Sequence, residues 1–386
     1  MQIAIHASDL DHNRVDGTRV YLLNLLKNFG KIDEKDSFFI YHQNDFNPQL
    51  EPPIFANYSI KKSSFPALWT QTAFAFEILR DKPDVLWMPV HNIPLLKKRE
   101  LKTVVTVHDL AFKIFPEYFT KKDLIKLNRL SDMAIKKSNK IIAVSQSTKK
   151  DILKFYPEIS EKKIAVIHHG FDAGIFQKKY SAEITDELLK KYNLLASTHE
   201  DDCSSTRSGK SKSYLLYVGA IQPRKNLEVL ISAFEKVKFN KPELKLVIAG
   251  SPAWKAEKTL EKIDRSEFKK DIIITGNLDF KKIAILYQNA KMFVFPSLYE
   301  GFGIPVLEAM ASGTPVVCAK NSSLIEASGK AALYFKTGDP GDLAARINEI
   351  IEKEMLAEEL IQKGFEHIKN FSWEKCARET LNYLLK

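Results

Sequence analysis

The stretch Phe293-Val294-Phe295-Pro296-Ser297-Leu298-Tyr299-Glu300-Gly301-Phe302-Gly303-Ile304-Pro305-Val306-Leu307-Glu308-Ala309-Met310-Ala311-Ser312-Gly313 sets the fold class of the chain. An apolar run ending at Pro296 has the length and composition of a buried strand. The loop behind it carries Glu300 and two glycines, and a short helix begins near Ile304. Glycine lets a backbone approach a ligand closely, and the N–H groups of a helix N-terminus favour an anion, so the loop reads as a phosphate site. Seven residues separate Glu300 from Glu308. A carboxylate beside phosphates repels them, so both acids are expected to bond hydroxyl groups, Glu300 on a sugar and Glu308 on a ribose. A helix-capping glutamate beside an incidental acid is the alternative. The dinucleotide fingerprint fails on spacing, because Gly301 and Gly303 supply G-x-G but Val306 stands where the third glycine belongs.

Outward from this unit the alternation repeats. Residues 214–218, 244–249, 272–275, 292–296 and 315–319 read as strands, with helices over 227–237, 283–288 and 304–311. A separate series of apolar or amphipathic stretches runs through 2–7, 20–29, 38–41, 85–88, 103–107, 124–134, 140–144 and 164–167. Strands alternating with helices predict parallel sheets, so two doubly wound α/β units follow in series, with ligands beyond the carboxyl ends of their strands. Between the two series, 181–192 reads as a charged helix and 196–213 as a polar loop or linker.

Bulk properties agree with two soluble domains. The chain has 386 residues, 45% apolar and 27% charged, enough for two full cores. Cys203, Cys318 and Cys376 form an odd set with no close pair. They offer neither a disulfide framework nor a zinc spacing and fit a reducing, cytoplasmic location. The first seven residues alternate like a strand and lack the regions of an export signal. No apolar run approaches the roughly 18 to 20 residues that span a bilayer, so any membrane contact is expected to be peripheral. Net charge is +10, and nine Lys or Arg face two Asp between 121 and 150. That stretch reads as a solvated helix face or a surface for anionic lipid. No nucleic-acid partner is expected, since no binding motif or interleaved aromatic residues accompany the charge. The aromatic run Phe65, Trp69, Phe74 and Phe76 reads as packed core ahead of a lipid contact.

Three further segments end predicted strands. Tyr217-Val218-Gly219-Ala220-Ile221-Gln222-Pro223-Arg224-Lys225-Asn226 places two adjacent cations after a glycine turn, which suits a diphosphate. Thr106-Val107-His108-Asp109-Leu110 puts a histidine at a strand's carboxyl end, with Asp109 as a turn or capping residue. Asp16-Gly17-Thr18-Arg19 follows the first strand and opens a helix.

Glu300 to Val317, E-G-F-G-x-P-x-x-E-A-M-A-x-G-x-P-V-V, resembles over eighteen positions the signature of the family 4 retaining glycosyltransferases. The resemblance implies the GT-B fold, two Rossmann-like doubly wound domains facing a central cleft. It implies that Glu300 meets the donor sugar, the amides of Phe302 to Ile304 beside Gly301 and Gly303 meet the diphosphate, and Glu308 meets the ribose. Gly219, Arg224 and Lys225 resemble the family's diphosphate segment. The family often has Arg directly after this glycine, where Ala220 stands here, and Arg224 replaces it in a P-R-K-N form resembling mannosyltransferase-like members. His108 resembles the family's V-H-D histidine, which reaches the donor sugar, and Gly17 matches one of a glycine pair beneath the donor phosphates. His168-His169-Gly170-Phe171-Asp172 resembles a hinge-side turn. Phe371-Ser372-Trp373-Glu374 resembles the final segment, which returns to the first domain. The expected domains are therefore 1–175 with a returning helix at 366–386, for the acceptor, and 176–365, for the donor.

The reaction implied is retaining hexosyl transfer from a nucleotide-diphosphate sugar, GDP-mannose by the P-R-K-N form, to a glycan or lipid-linked glycan. Catalytic roles fall on Glu300, His108 and Lys225. No cofactor and no metal are expected, since no D-x-D pair stands at a strand end with an obvious metal role. A non-catalytic nucleotide- or carbohydrate-binding protein and a nucleotide-sugar epimerase remain alternatives. A phosphorylase lacks a convincing pyridoxal phosphate lysine.

Overall fold

The computed structural model describes residues 1–64, 68–195 and 213–386. Phe65, Cys203 and all but the last residue of the 196–213 polar segment lie outside the described residues. The described chain forms two compact units, 1–170 with 371–386, and 171–370. Packing puts the crossings there instead of at 175 and 366. Phe176, in the helix Ala173–Phe176, is buried in the second unit 6.0 Å from the Tyr287 ring. Its carbonyl accepts from Gln288 Nε2 and Ser312 Oγ, each at 3.2 Å. Residues just before 371 finish the helix Glu354–Ile368, whose Gly364 lies against Met310.

The first unit holds β1 (Gln2–His6), β2 (Ser37–His42), β3 (Tyr58–Lys62), β4 (Val85–Met88), β5 (Lys102–Val107), β6 (Lys140–Ala143) and β7 (Ile164–Val166). They pair in parallel in the order β3-β2-β1-β4-β5-β6-β7. The second unit holds β8 (Tyr214–Val218), β9 (Lys245–Ala249), β10 (Ile272–Ile274), β11 (Met292–Phe295), β12 (Val316–Ala319) and β13 (Ala332–Phe335). These are also parallel, in the order β10-β9-β8-β11-β12-β13. Each sheet reverses its direction of growth once, between β1 and β4 and between β8 and β11. The loops leaving those strands diverge to opposite sides and open a crevice for ligands.

Burial explains which strands the sequence announces. Every residue of β4, β8, β11 and β12 is buried, so each reads as an unbroken apolar run. The edge strands β3 and β13 are only partly buried. Ser59, Ile60 and Lys62 of β3 face water, as edge strands require, and the sequence reading passes over both. It also passes over the helices Ala73–Asp81 and Gln146–Phe155. Trp69 and Phe74 enter the core as expected, whereas Phe76 is exposed.

The terminal helix Trp373–Leu385 completes the first unit. Ser372 caps it, accepting from the Lys375 amide at 3.0 Å, and Trp373 is buried 5.8 Å from the His169 ring. At its other end the ammonium groups of Lys102 and Lys140 donate to the Leu384 and Tyr383 carbonyls at 2.8 and 3.0 Å. Cations there satisfy open carbonyls and oppose the helix dipole. A methyl group on Gly170 would stand 2.2 Å from the Trp373 nitrogen, so no larger residue fits the turn without displacing that helix.

Four histidines stand at or beyond the carboxyl ends of β1, β4, β5 and β7: His6, His91, His108 and His169. Desolvation lowers the pKa of each, that of His91 to about 4. Unfolded histidine titrates near about 6.5, so below that pH the unfolded chain binds more protons than the folded one. Stability is therefore expected to fall as pH drops from about 6.5 toward 5, by up to about 1.4 kcal/mol per pH unit for each histidine. Chemical denaturation followed by circular dichroism at pH 7, 6 and 5 reads this slope, and His91→Gln should reduce it by one share. A stability flat across the interval is incompatible with four imidazoles held neutral by the fold.

Candidate functional site

The loops that leave β8 and β11 meet in the second unit. Gly219 ends β8 with φ +145°, and a Cβ there would lie 2.8 Å from the Tyr217 hydroxyl. The neighbouring loop is as close, since a Cβ on Gly250 would lie 2.0 Å from the Gly219 carbonyl oxygen. After a 3-10 turn at Pro223–Lys225, Asn226 adopts a left-handed conformation, φ 56°, and opens the helix Leu227–Lys238. Asn226 Nδ2 donates to the Pro296 carbonyl at 3.2 Å and the Leu298 amide to the Arg224 carbonyl at 2.9 Å. The two loops are thus stitched together by one side-chain and one backbone donor, each on a carbonyl of the other loop.

Three charged side chains meet at this seam. Lys225 Nζ lies 2.5 Å from one Glu300 carboxylate oxygen, and an Arg224 guanidinium nitrogen lies 3.3 Å from the other. The same Arg224 nitrogen donates to the Tyr299 carbonyl at 2.5 Å. All three side chains are only 12–14% exposed. Burial pushes the Glu300 carboxyl upward, but Lys225 and Arg224 outweigh it and hold its pKa below the ordinary glutamate value. The magnitudes permit this. Unit charges at about 4 Å attract by about 4 kcal/mol at an effective dielectric of about 20, and two such cations offset a desolvation penalty of several kcal/mol. Two cations thus flank the one carboxylate.

A second layer fixes the Glu300 backbone. Its amide donates to Ser322 Oγ at 3.2 Å and its carbonyl accepts from Ser323 Oγ at 2.8 Å. Asn321 Nδ2 donates to the Ser297 carbonyl at 2.8 Å. This turn after β12 is absent from the sequence reading, because its serines and asparagine look like any polar loop. Beyond Glu300, Gly303 has φ +118° and starts the helix Ile304–Ala311. A Cβ there would press on Leu324 at 3.0 Å and Ala327 at 3.3 Å. The Gly303 and Ile304 amides have no hydrogen-bond partner among the described residues. Phe302 is buried.

Glu308 lies apart from this cluster. It is buried within the helix, and the Tyr287 hydroxyl stands 3.4 Å from its carboxylate and 3.2 Å from the Pro305 carbonyl. Desolvation raises its pKa to about 8, with the Tyr287 hydrogen bond opposing and Asp172 assisting. Glu308 is therefore protonated at neutral pH in the ligand-free protein. Tyr287, the partner missed in the sequence, lies 21 residues away on another helix.

In the first unit, His108 follows β5 and its Nε2 donates to the Pro89 carbonyl at 2.8 Å. A carbonyl only accepts, so the proton sits on Nε2 and Nδ1 is the open acceptor. Asp109 accepts from the Ala111 amide at 2.9 Å, the turn role expected of it. Gly17 occupies the first position of the helix Gly17–Ile32, capped by Asp16. Arg224, Lys225, Gly219, Glu300 and the Gly301–Ile304 loop thus gather in the second unit, with Glu308 deeper in the same unit, while His108 and Gly17 belong to the first. Among the described residues no three His, Cys, Asp or Glu side chains gather as metal ligands.

Glu308 supplies a signed test. An acid whose folded pKa is raised stabilises the fold below its unfolded pKa and loses that contribution as pH rises through about 8. Glu308→Gln, a neutral near-isostere of the protonated acid, should melt higher than wild type at pH 9 and equally at pH 5. A variant that melts lower at both values would show the carboxylate to be stabilising.

With this geometry in hand, comparison with known proteins places the chain. Residues 199–367 match the glycosyl transferases group 1 family, and residues 15–174 match glycosyltransferase family 4. An O-antigen chain mannosyltransferase B of Escherichia coli is 28% identical over 310 residues, covering 79% of this chain and 75% of that protein. A serotype-specific mannosyltransferase of Escherichia coli is 28% identical over 75% of this chain, which spans only 33% of that longer protein. An uncharacterized glycosyltransferase of Methanocaldococcus jannaschii is 30% identical over 56% of this chain and 67% of that protein. Two solved structures superpose along essentially the whole chain. Sucrose-phosphate synthase of Thermosynechococcus elongatus has a TM-score of 0.75 at 17% identity, over 99% of this chain and 98% of that one. Anabaena HepE in complex with UDP-glucose has a TM-score of 0.73 at 16% identity, over 100% of both chains. The chain therefore belongs to the family 4 glycosyltransferases and is a glycosyltransferase of the GT-B fold.

Proposed function

We propose that this glycosyltransferase moves a hexose, with retention, from a nucleotide-diphosphate sugar to a glycan or lipid-linked glycan in polysaccharide biosynthesis. The donor proposed is GDP-mannose, and no metal or other cofactor takes part. The observation that carries the reading is the pairing of two cations, Lys225 and Arg224, with Glu300, three residues before the open Gly303 and Ile304 amides and at the point where the sheet reverses between β8 and β11. Two cations and two backbone donors suit a diphosphate. Charge grows on that group as the bond to the sugar breaks, and the same cations and amides balance it.

Glu300, already ionised by its partners, accepts hydrogen bonds from hydroxyls of the donor sugar. Glu308, protonated at neutral pH, both donates to and accepts from the paired hydroxyls of the ribose. His108 and Gly17 enter this reading through the family resemblance alone. Mannose is favoured by the names of the Escherichia coli relatives. UDP-glucose is the second reading, favoured by the ligand that Anabaena HepE holds. Work at the cytoplasmic face of a membrane, with peripheral contact, completes the proposal. Among the described residues no helix is long and apolar enough to cross a bilayer.

A thermal-shift panel of GDP, UDP, ADP and their common sugar conjugates, with and without EDTA, tests the donor. Ligand at about 100 times its dissociation constant stabilises by about 2.7 kcal/mol, so the correct base should stand out. A GDP-specific shift indifferent to EDTA is expected, a UDP-specific one selects the second donor, and no shift with any nucleotide removes the reading. Glu300→Ala should cut transfer by about 100-fold or more while retaining the nucleotide shift, since it removes an acceptor for sugar hydroxyls and spares both cations.

A further inference from the structure

Leu95 and Leu96 are adjacent in sequence and 58% and 66% exposed, yet the loop that carries them is held from both sides. The Gln71 side-chain amide donates through Nε2 to the Ile93 carbonyl at 2.9 Å, and its oxygen accepts from the Leu95 amide at 2.8 Å. Pro94, between those two anchors, is buried. Gln71 belongs to the turn that starts at Leu68, whose carbonyl accepts from the Gln71 amide at 2.7 Å and the Thr72 amide at 3.1 Å. Leu68 is 77% exposed and keeps a left-handed backbone, φ 50°, which a leucine adopts only when its surroundings impose it. One turn further, the Phe76 amide bonds the Thr72 carbonyl, and its ring is 65% exposed.

A continuous chain of hydrogen bonds thus joins four protruding apolar side chains. Single exposed apolar side chains are ordinary on a soluble protein, but here three leucines and a phenylalanine project from one hydrogen-bonded scaffold. Immediately after Leu96 come Lys97, Lys98 and Arg99, the last two exposed. Lys97 turns back toward the Leu101 carbonyl, and Lys137 at the end of the helix Lys121–Lys137 is close enough to lower its pKa, after burial. Apolar tips rimmed by cations match a bilayer whose headgroups are negative and whose interior lies a few ångströms deeper.

We propose that Leu68, Phe76, Leu95 and Leu96 insert into an anionic lipid surface while Lys98 and Arg99 engage its headgroups. The inference deepens the lipid-linked acceptor reading above and rests on it. The contact sits on the clamped 93–99 loop and the turn beside it, and the basic helix at 121–137 supplies only surrounding charge.

Co-sedimentation with vesicles of phosphatidylglycerol and phosphatidylcholine, and with phosphatidylcholine alone, tests it on the full chain. The protein should pellet strongly with the anionic vesicles and weakly with phosphatidylcholine alone, and should remain partly bound to the anionic vesicles in 1 M salt, because insertion is not screened. The double variant Leu95→Ser, Leu96→Ser should bind at least tenfold more weakly and be released completely by salt. Lys98→Glu, Arg99→Glu should lose the preference for anionic over phosphatidylcholine vesicles at low salt. Met355→Ser, at an exposed apolar residue of the second unit, should behave as wild type. Wild-type protein that ignores anionic vesicles, as it would if this patch met a protein instead, overturns the proposal. So does a leucine variant that pellets normally while Lys122→Glu, Lys126→Glu does not. The nucleotide shift, measured without lipid, keeps failure here distinct from failure of the donor reading, and unchanged circular-dichroism melting shows that the variants fold.

Discussion

The second unit is organised around one buried carboxylate that must be paid for locally. Glu300 is shielded from water, and an ionised carboxyl in that position costs several kcal/mol unless cations stand beside it. Those cations come from a segment 75 residues earlier in the chain. The loops after β8 and β11 must therefore be neighbours, which the strand order provides by setting β8 beside β11. Everything else at the seam serves that adjacency. Gly219 lets the first loop turn, Asn226 returns the chain into a helix while tying Pro296, and Ser322 and Ser323 clamp the Glu300 backbone. Remove the ion pairs and these contacts have no charge to position; remove the contacts and the charge has no partner.

Glu308 makes the same point by contrast. It is the same residue type, eight positions on, and equally buried, but no cation reaches it, and one tyrosine hydroxyl is its polar neighbour. The two acids are therefore driven to opposite protonation states by environment alone, one held ionised and the other held neutral. Under the proposed function this division is useful. An ionised carboxylate accepts hydrogen bonds without competing protons, whereas a protonated one matches a pair of neighbouring hydroxyls that offer both a donor and an acceptor. A neutral acid also adds no repulsion to an incoming diphosphate.

Local pattern made part of this legible in the sequence. The fully buried strands β8 and β11, the helix Ile304–Ala311 and the loop with Glu300 could be read because their signals are contiguous: an apolar run, two glycines, a helix start. The grouping of Arg224 and Lys225 near Glu300 was legible only through strand-end reasoning and resemblance. What escaped depends on tertiary neighbours. The edge strand β3 is broken by Ser59, Lys61 and Lys62, Tyr287 becomes a partner of Glu308 only when two helices pack, and Ser322 and Ser323 look like any turn. The exposure of Leu95 and Leu96 is the clearest case, since composition alone assigns leucine to the interior and only the Gln71 clamp turns it outward.

The same distinction between local and distant information separates the two units as folding problems. The second is one continuous segment whose site is built from its own strands. The first has its sheet by β7, but residues 371–386 arrive only after the entire second unit. Its core is unfinished until then, because Trp373 fills space beside Tyr21 and His169, and Lys102 and Lys140 wait for the last carbonyls of the terminal helix. Contacts spanning more than two hundred residues are entropically the most expensive to close. Here they are closed by the tightest fit in the unit, Gly170 against the Trp373 backbone, and by cations on helix-terminal carbonyls. Both devices add to stability only once the helix is seated, so they reward the completed arrangement and give nothing to partial ones.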